Sequence, residues 1–145
     1  MKVNKMGFSL VELAIGLAVI TVLILTISMS SGIRDNARLQ SASQSIQALR
    51  SAAENYIASG KLNFIGLDIA ALKADNFLSA NFNALGSNPW GGDFLVAPNA
   101  SNTTRFDIAL TSVNKPDSAK LNIFFNNITH AISYDESSKT WTATF

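Results

Sequence analysis

The chain has 145 residues, no cysteine, and 11 basic against 10 acidic side chains. This length is enough for one domain, and the lack of cysteine excludes disulfides and zinc–thiolate sites. The charges nearly balance, and no cluster of Lys and Arg follows residue 38. Nucleic acid is therefore not expected as a direct ligand of the monomer.

The N-terminal part of the chain is apolar apart from one carboxylate. Glu12 is the only charged residue between Phe8 and Ile33, and a stretch of about 25 such residues can cross a bilayer as a helix. Lys2 and Lys5 precede this stretch, which favours a cytoplasmic N-terminus. A carboxylate in hydrocarbon costs at least ~2.5 kcal/mol on insertion scales, so Glu12 needs a partner.

The segment MKVNKMGFSLVEL resembles the processing site of type IV prepilins and pseudopilins. The resemblance implies that a prepilin peptidase removes the leader, residues 1–7, by cleavage between Gly7 and Phe8. It also implies that the new amino group of Phe8 is methylated. Glu12 would then be the assembly glutamate, and its partner would be the N-terminal amine of a neighbouring subunit.

Two other interpretations of the N-terminus stay open. A cleaved secretory signal would use Ser28-Met29-Ser30 as its cleavage site, although signal-peptide apolar regions usually span only about 7–15 residues. A simple signal anchor would keep Met1 and hold a periplasmic binding domain that does not polymerise.

The helix is predicted to continue beyond the apolar stretch. Apolar residues then recur at steps of three and four with polar residues between them, which indicates one helical face that packs on a head. These residues are Leu39, Ala42, Ile46, Leu49, Ala53, Tyr56 and Ile57. Gly60 is a natural residue to follow the end of this helix.

The predicted head is a small α/β unit. Helical patterns cover Asp68 to Phe77 and a segment that starts at Asn114 and carries Leu121, Phe124, Phe125 and Ile128 at helical spacing. Alternating strand patterns cover residues 94–97, 105–111, 131–134 and 140–145. The fold class is thus α+β, a long N-terminal helical spine packed on a small antiparallel sheet; the resemblance implies the pilin fold.

Four segments follow from these patterns. They are the leader at 1–7, a transmembrane or filament-core helix at 8–33, its amphipathic continuation at 34–60, and the globular head at 61–145.

The segment Asn88-Pro89-Trp90-Gly91-Gly92 leads into the first predicted strand. Pro89 fixes a turn, and Gly91 and Gly92 permit positive φ angles. We expect Trp90 to fill the gap between helix and sheet rather than to bind a ligand. Similar segments lead into the first head strand of some type IV pilins, particularly those of the type IVb branch.

The sequence predicts no catalytic residue, no metal site and no cofactor, and the chain is not expected to be an enzyme. His130 is the only histidine and has no nucleophile motif beside it. Asp135 and Glu136 are adjacent, and some pseudopilins bind calcium through acidic residues near their C-terminal strands. Two neighbouring carboxylates without a third are more typical of a solvated hairpin turn.

These features predict a structural subunit of a type IV pilus-like filament. Its precursor would lie in the bacterial inner membrane among lipids, and the assembled homo-oligomer would be extracellular. The implied partners are the prepilin peptidase, an inner-membrane assembly platform and further copies of the chain. A type II secretion pseudopilin, assembled in the periplasm, is the alternative within this class.

Overall fold

The computed structural model describes the backbone of residues 10–145 and the side chains of residues 18–20 and 32–145. The elements are α1 (Leu10–Ala58), α2 (Ile69–Ala74), β1 (Phe94–Pro98), β2 (Phe106–Leu110), α3 (Lys115–Phe125), β3 (Ala131–Asp135) and β4 (Thr140–Thr144). The strands form one antiparallel sheet in the order β1-β2-β4-β3. The predicted α+β class, with a long helix followed by a small antiparallel sheet, is confirmed.

The chain divides into two compact units, and the boundary falls inside α1. The first unit ends at Asn36 and the second is Ala37–Phe145. Within the part of the chain that the structure describes, no helix is both long and apolar enough to cross a membrane. The predicted transmembrane or filament-core segment, 8–33, lies mostly outside the described side chains.

Within the second unit, α1 buries one face. The predicted stripe is confirmed at its first six positions, and Ile57 is half-buried at its end. The buried members are Leu39, Ala42, Ile46, Leu49, Ala53 and Tyr56. The helix ends at Ala58, and Gly60 follows with a φ of 100° and its N–H bonded to the Ile57 carbonyl at 3.0 Å. The sequence-predicted helix end is therefore confirmed.

The sheet packs through alternate residues, as the strand patterns predict. The inward-facing side chains are Phe94 and Val96 of β1, Phe106, Ile108 and Leu110 of β2, and Trp141 and Ala143 of β4. Each large apolar side chain buried in this way stabilises the fold by about 1.5–3 kcal/mol. The edge strand β3 contributes less, since its Ile132 and Tyr134 are only partly buried.

The short helix α2 is smaller than predicted. It begins after the Asp68 N-cap, whose carboxylate accepts from Ala71 N at 2.6 Å, but it ends at Ala74. Asn76 has a φ of 59°, and Phe77 N donates to the Leu72 carbonyl at 2.9 Å. A left-handed residue with such a bond closes a helix, so the expected continuation to Phe77 was wrong.

The helix α3 is confirmed, but only part of its apolar pattern is buried. Leu121 and Phe125 lie in the core, whereas Phe124 is 59% exposed. Ile128 is also exposed because the helix ends at Phe125, one turn before it. Leu121 and Phe125, which lie four residues apart on one face, are therefore enough to attach α3 to the sheet.

Candidate functional site

The N-terminal processing and assembly residues cannot be placed in a site. Gly7 and Phe8 lie outside the described residues. Glu12 falls within α1, but its side chain is outside the described part. The cleavage, methylation and assembly roles therefore stay predictions.

The best-defined polar arrangement of the head surrounds Asn88, which is 4% exposed. Its Oδ1 accepts from the backbone N–H groups of Trp90 and Gly92, each at 2.9 Å. Its Nδ2 donates to the carbonyls of Asp93 at 3.1 Å and Thr111 at 2.7 Å. Four hydrogen bonds satisfy the whole amide, so this side chain fixes the turn before β1.

The two glycines of this turn serve different purposes. Gly91 has a φ of 81°, as predicted, and has open space around it. Gly92 is not among the glycines with positive φ, so it does not use the conformational freedom that a glycine permits. A Cβ at Gly92 would instead lie 2.3 Å from the Thr111 carbonyl oxygen. Gly92 is therefore required because two backbone segments approach each other closely.

Trp90 links this turn to the beginning of α3. Its indole Nε1 donates to Asp117 Oδ2 at 2.7 Å, and its ring is partly buried against the core. Pro89, the residue before it, is half-exposed in the same turn. The observed arrangement gives Trp90 a structural contact to α3.

Asp117 is a buried carboxylate with three side-chain donors. Trp90, Lys120 and Asn114 donate to it at 2.7, 3.2 and 2.9 Å. Burial raises the pKa of Asp117, but the three hydrogen bonds and the Lys120 charge outweigh it, so the pKa is lowered overall. The folded state therefore favours the ionised form of Asp117.

Sequence reasoning missed the central roles of Asn88 and Asp117. The sequence predicts Asn88 only as part of the turn before the first strand, and Asp117 only as one residue of the helical segment that starts at Asn114. A usable local signal exists for Asp117, because Asn114 precedes it by three residues and caps α3, accepting from Asp117 N at 2.8 Å. No local signal identifies the Trp90–Asp117 bond, which joins positions 27 residues apart.

The two carboxylates of the last hairpin have different partners, Asp135 within the turn and Glu136 on α3. Asp135 accepts from the hydroxyls of Ser137 and Ser138, both at 2.7 Å, and from Ser137 N at 2.9 Å. The Ser137 hydroxyl is the main cause that lowers the pKa of Asp135 to about 2. Glu136 forms an ion pair with Lys115 at 2.9 Å.

Two surface depressions of the second unit adjoin each other at one end of the sheet. One, of about 350 Å³, includes Arg50, Arg105 and His130; the other, of about 330 Å³, includes Leu62. Glu54, Phe64 and Thr104 line both. We call the combined depression the basic groove. Across the described residues, no group of three or more His, Cys, Asp or Glu could hold a metal ion.

No protein-family model matches the chain, and no curated protein matches it at a significant level.

Proposed function

We propose that this protein is the structural subunit of a type IV pilus-like filament. The observation that carries the proposal is Glu12, a single carboxylate that enters an otherwise uncharged stretch directly after the Gly7-Phe8 pair. Cleavage between Gly7 and Phe8, followed by methylation of the Phe8 amine, would place a cation four residues before Glu12. The architecture of one long helix ahead of an α+β unit is compatible with this role.

Glu12 would set the axial register between subunits. A buried carboxylate left without a partner costs several kcal/mol, while pairing with a neighbouring amine compensates much of that cost. Only one axial position of an added subunit would place its Phe8 amine next to a neighbour's Glu12. Apolar packing alone allows helices to slide past one another, so the ion pair would supply the specificity.

The proposed life cycle requires several partners. The precursor would lie in the inner membrane with its apolar segment in lipid, and a prepilin peptidase would act on its cytoplasmic leader. An assembly platform would then add the subunit to a homo-oligomeric filament that extends outside the cell. We also propose that the chain has the pilin fold with a type IVb-like head. Its support is the segment from Asn88 to Gly92 before β1.

The N-terminal peptide tests the proposal directly. Mass spectrometry of the protein from its native membrane should find N-methylphenylalanine derived from Phe8 as the first residue. An intact Met1 would contradict the proposal and favour a signal-anchored periplasmic domain. Imaging of sheared surface material would then separate an extracellular pilus from a periplasmic pseudopilus.

Substitution of the assembly glutamate tests the mechanism. Glu12→Ala should reduce filament number at least about tenfold, because loss of the pair removes more than ~1.4 kcal/mol from each subunit contact. The head should stay folded. Glu136→Ala, which removes a carboxylate from an exposed hairpin, is the matched control and should leave filaments normal. Normal filaments from Glu12→Ala would refute the assembly role.

A further inference from the structure

A second apolar depression lies beside the edge strand β1 and carries the opposite charge. It measures about 270 Å³ and is lined in part by Asp68, Leu85 and Leu95. Leu85 is 71% exposed and Leu95 is 45% exposed. Asp93 precedes β1, and its Oδ1 accepts from Gly86 N at 2.7 Å. We call this depression, together with Asp93, the acidic edge.

The charges of the acidic edge are not neutralised within the described part of the chain. Asp68 accepts from Ala71 N as the cap of α2, and Asp93 accepts from a backbone N–H. Neither carboxylate forms an ion pair with a described residue. Two anions therefore lie next to exposed leucines.

The basic groove has a similar composition with the opposite sign. Arg50 pairs with Glu54 at 2.8 Å, and its guanidinium lies 5.3 Å from the centre of the Phe145 ring. Arg105 forms no ion pair with the described residues, so the groove keeps a net positive charge. Its apolar rim includes Leu62, which is 96% exposed.

We propose that the acidic edge of one copy of this chain docks in the basic groove of a second copy. The two surfaces share no residue, so the contact is heterologous. If each surface met the same surface of another copy, like charges would face each other. If the acidic edge meets the basic groove, opposite charges pair, and the contact buries the exposed leucines between them. Heterologous contacts that do not close on themselves extend into open helical filaments. The inference rests on the proposed function, because filament assembly is what holds the copies close together.

Cysteine cross-linking in the full chain tests this contact, since the chain contains no cysteine of its own. The double variant Leu62→Cys with Leu95→Cys, treated in membranes with a short thiol cross-linker, should form dimers, trimers and higher species. Each single variant should stay uncross-linked, because a heterologous contact never places a residue next to its own copy. The control pairs Leu95→Cys with Ile123→Cys, which replaces Leu62 by another highly exposed position, on α3 (79% exposed), and should give no ladder.

Charge exchange tests the pairing. Arg105→Glu should reduce the cross-linked fraction of the Leu62→Cys, Leu95→Cys chain several-fold, and so should Asp68→Lys. The combination of the two charge variants should restore it, because opposite charges again face each other. Restoration also shows that the loss was not caused by misfolding. Failure of the combined variant to recover, with both single variants impaired, would overturn the charge pairing.

The same cells separate this inference from the proposed function. Methylated Phe8 and visible filaments without a ladder would overturn the docking contact and leave the filament proposal in place. A ladder in a chain that keeps Met1 would support the docking contact and overturn the filament proposal. Dimers from single-cysteine variants at the yield of the double variant would indicate a self-paired surface and overturn the heterologous contact.

Discussion

Gly91 and Gly92 are adjacent residues that are required for different reasons. Gly91 adopts a φ of 81° in open space, a conformation that Asn tolerates. Gly92 faces the Thr111 backbone, where any Cβ would clash at 2.3 Å. Two hydrogen bonds hold Thr111 to Asp93. Thr111 N donates to the Asp93 carbonyl at 3.1 Å, and Asp93 N donates to Thr111 Oγ1 at 2.7 Å. Relief of the clash therefore has to disturb the start of the sheet.

We predict that Gly92→Ala lowers the free energy of unfolding by about 2–3 kcal/mol, the upper range for overpacking a tight site. Gly91→Asn, the matched variant one residue earlier, should cost about 1 kcal/mol or less. Urea unfolding followed by tryptophan fluorescence measures both. Equal effects of the two substitutions would show that backbone conformation, rather than close approach, governs this turn.

The lowered pKa of Asp117 makes stability depend on pH. A carboxyl whose pKa is lower in the folded chain than its ordinary value of 3.8 stabilises the fold above that value. The contribution disappears as the pH falls through the folded-state pKa. Protonation would remove the charge that attracts Lys120 and weaken the bonds from Trp90 and Asn114.

We predict that Asp117→Asn destabilises the protein by about 1–3 kcal/mol at pH 7, the usual cost of disrupting a buried charged hydrogen-bond group. The difference from the wild type should shrink as the pH falls below 3.8. Asp135→Asn must be measured alongside, because Asp135 titrates in the same acidic range with a pKa of about 2. A difference that stays constant from neutral to acidic pH would contradict the assignment to Asp117 ionisation.

At the scale of elements, periodicity predicted helices and strands well because it reports local geometry. The stripe on α1 and the alternation in β2 and β4 each place the apolar side chains on one face of the element, and the fold buries those faces. The end of α2 was mispredicted because Asn76 adopts a left-handed conformation that the apolar pattern does not encode. Phe124 and Phe125 carry the same side chain, and only their position around α3 decides that one is exposed and the other buried.

The candidate sites were less predictable than the elements. Pro89, Gly91 and the strand after them were expected from local turn chemistry. The contacts of Asn88 with Thr111 and of Trp90 with Asp117 join residues 23 and 27 positions apart. Such contacts depend on how β2 and α3 come to lie beside the turn, and no local pattern of residues contains that information.

At the scale of the whole molecule, the second unit contains the described hydrophobic core. The buried apolar residues begin at Leu39 and continue to Phe145, within the unit that begins at Ala37. Three of them, Leu39, Ala42 and Ile46, come from the first part of the α1 face in this unit. The core therefore includes the buried face of α1. A domain boundary placed after the helix would remove that face from the core.

We predict that residues 37–145 fold alone and unfold cooperatively in urea, with Trp90 and Trp141 reporting one shared transition. A shorter chain of residues 47–145 is the matched control. It loses Leu39, Ala42 and Ile46, and truncation of one large buried side chain alone costs about 2–5 kcal/mol. Since a domain is stabilised by only about 5–15 kcal/mol in total, the shorter chain should lose its transition or show it at much lower urea. Failure of residues 37–145 to unfold cooperatively would mean that the first 36 residues are needed for the core. Equal stability of the two chains would mean that the early α1 contacts contribute little.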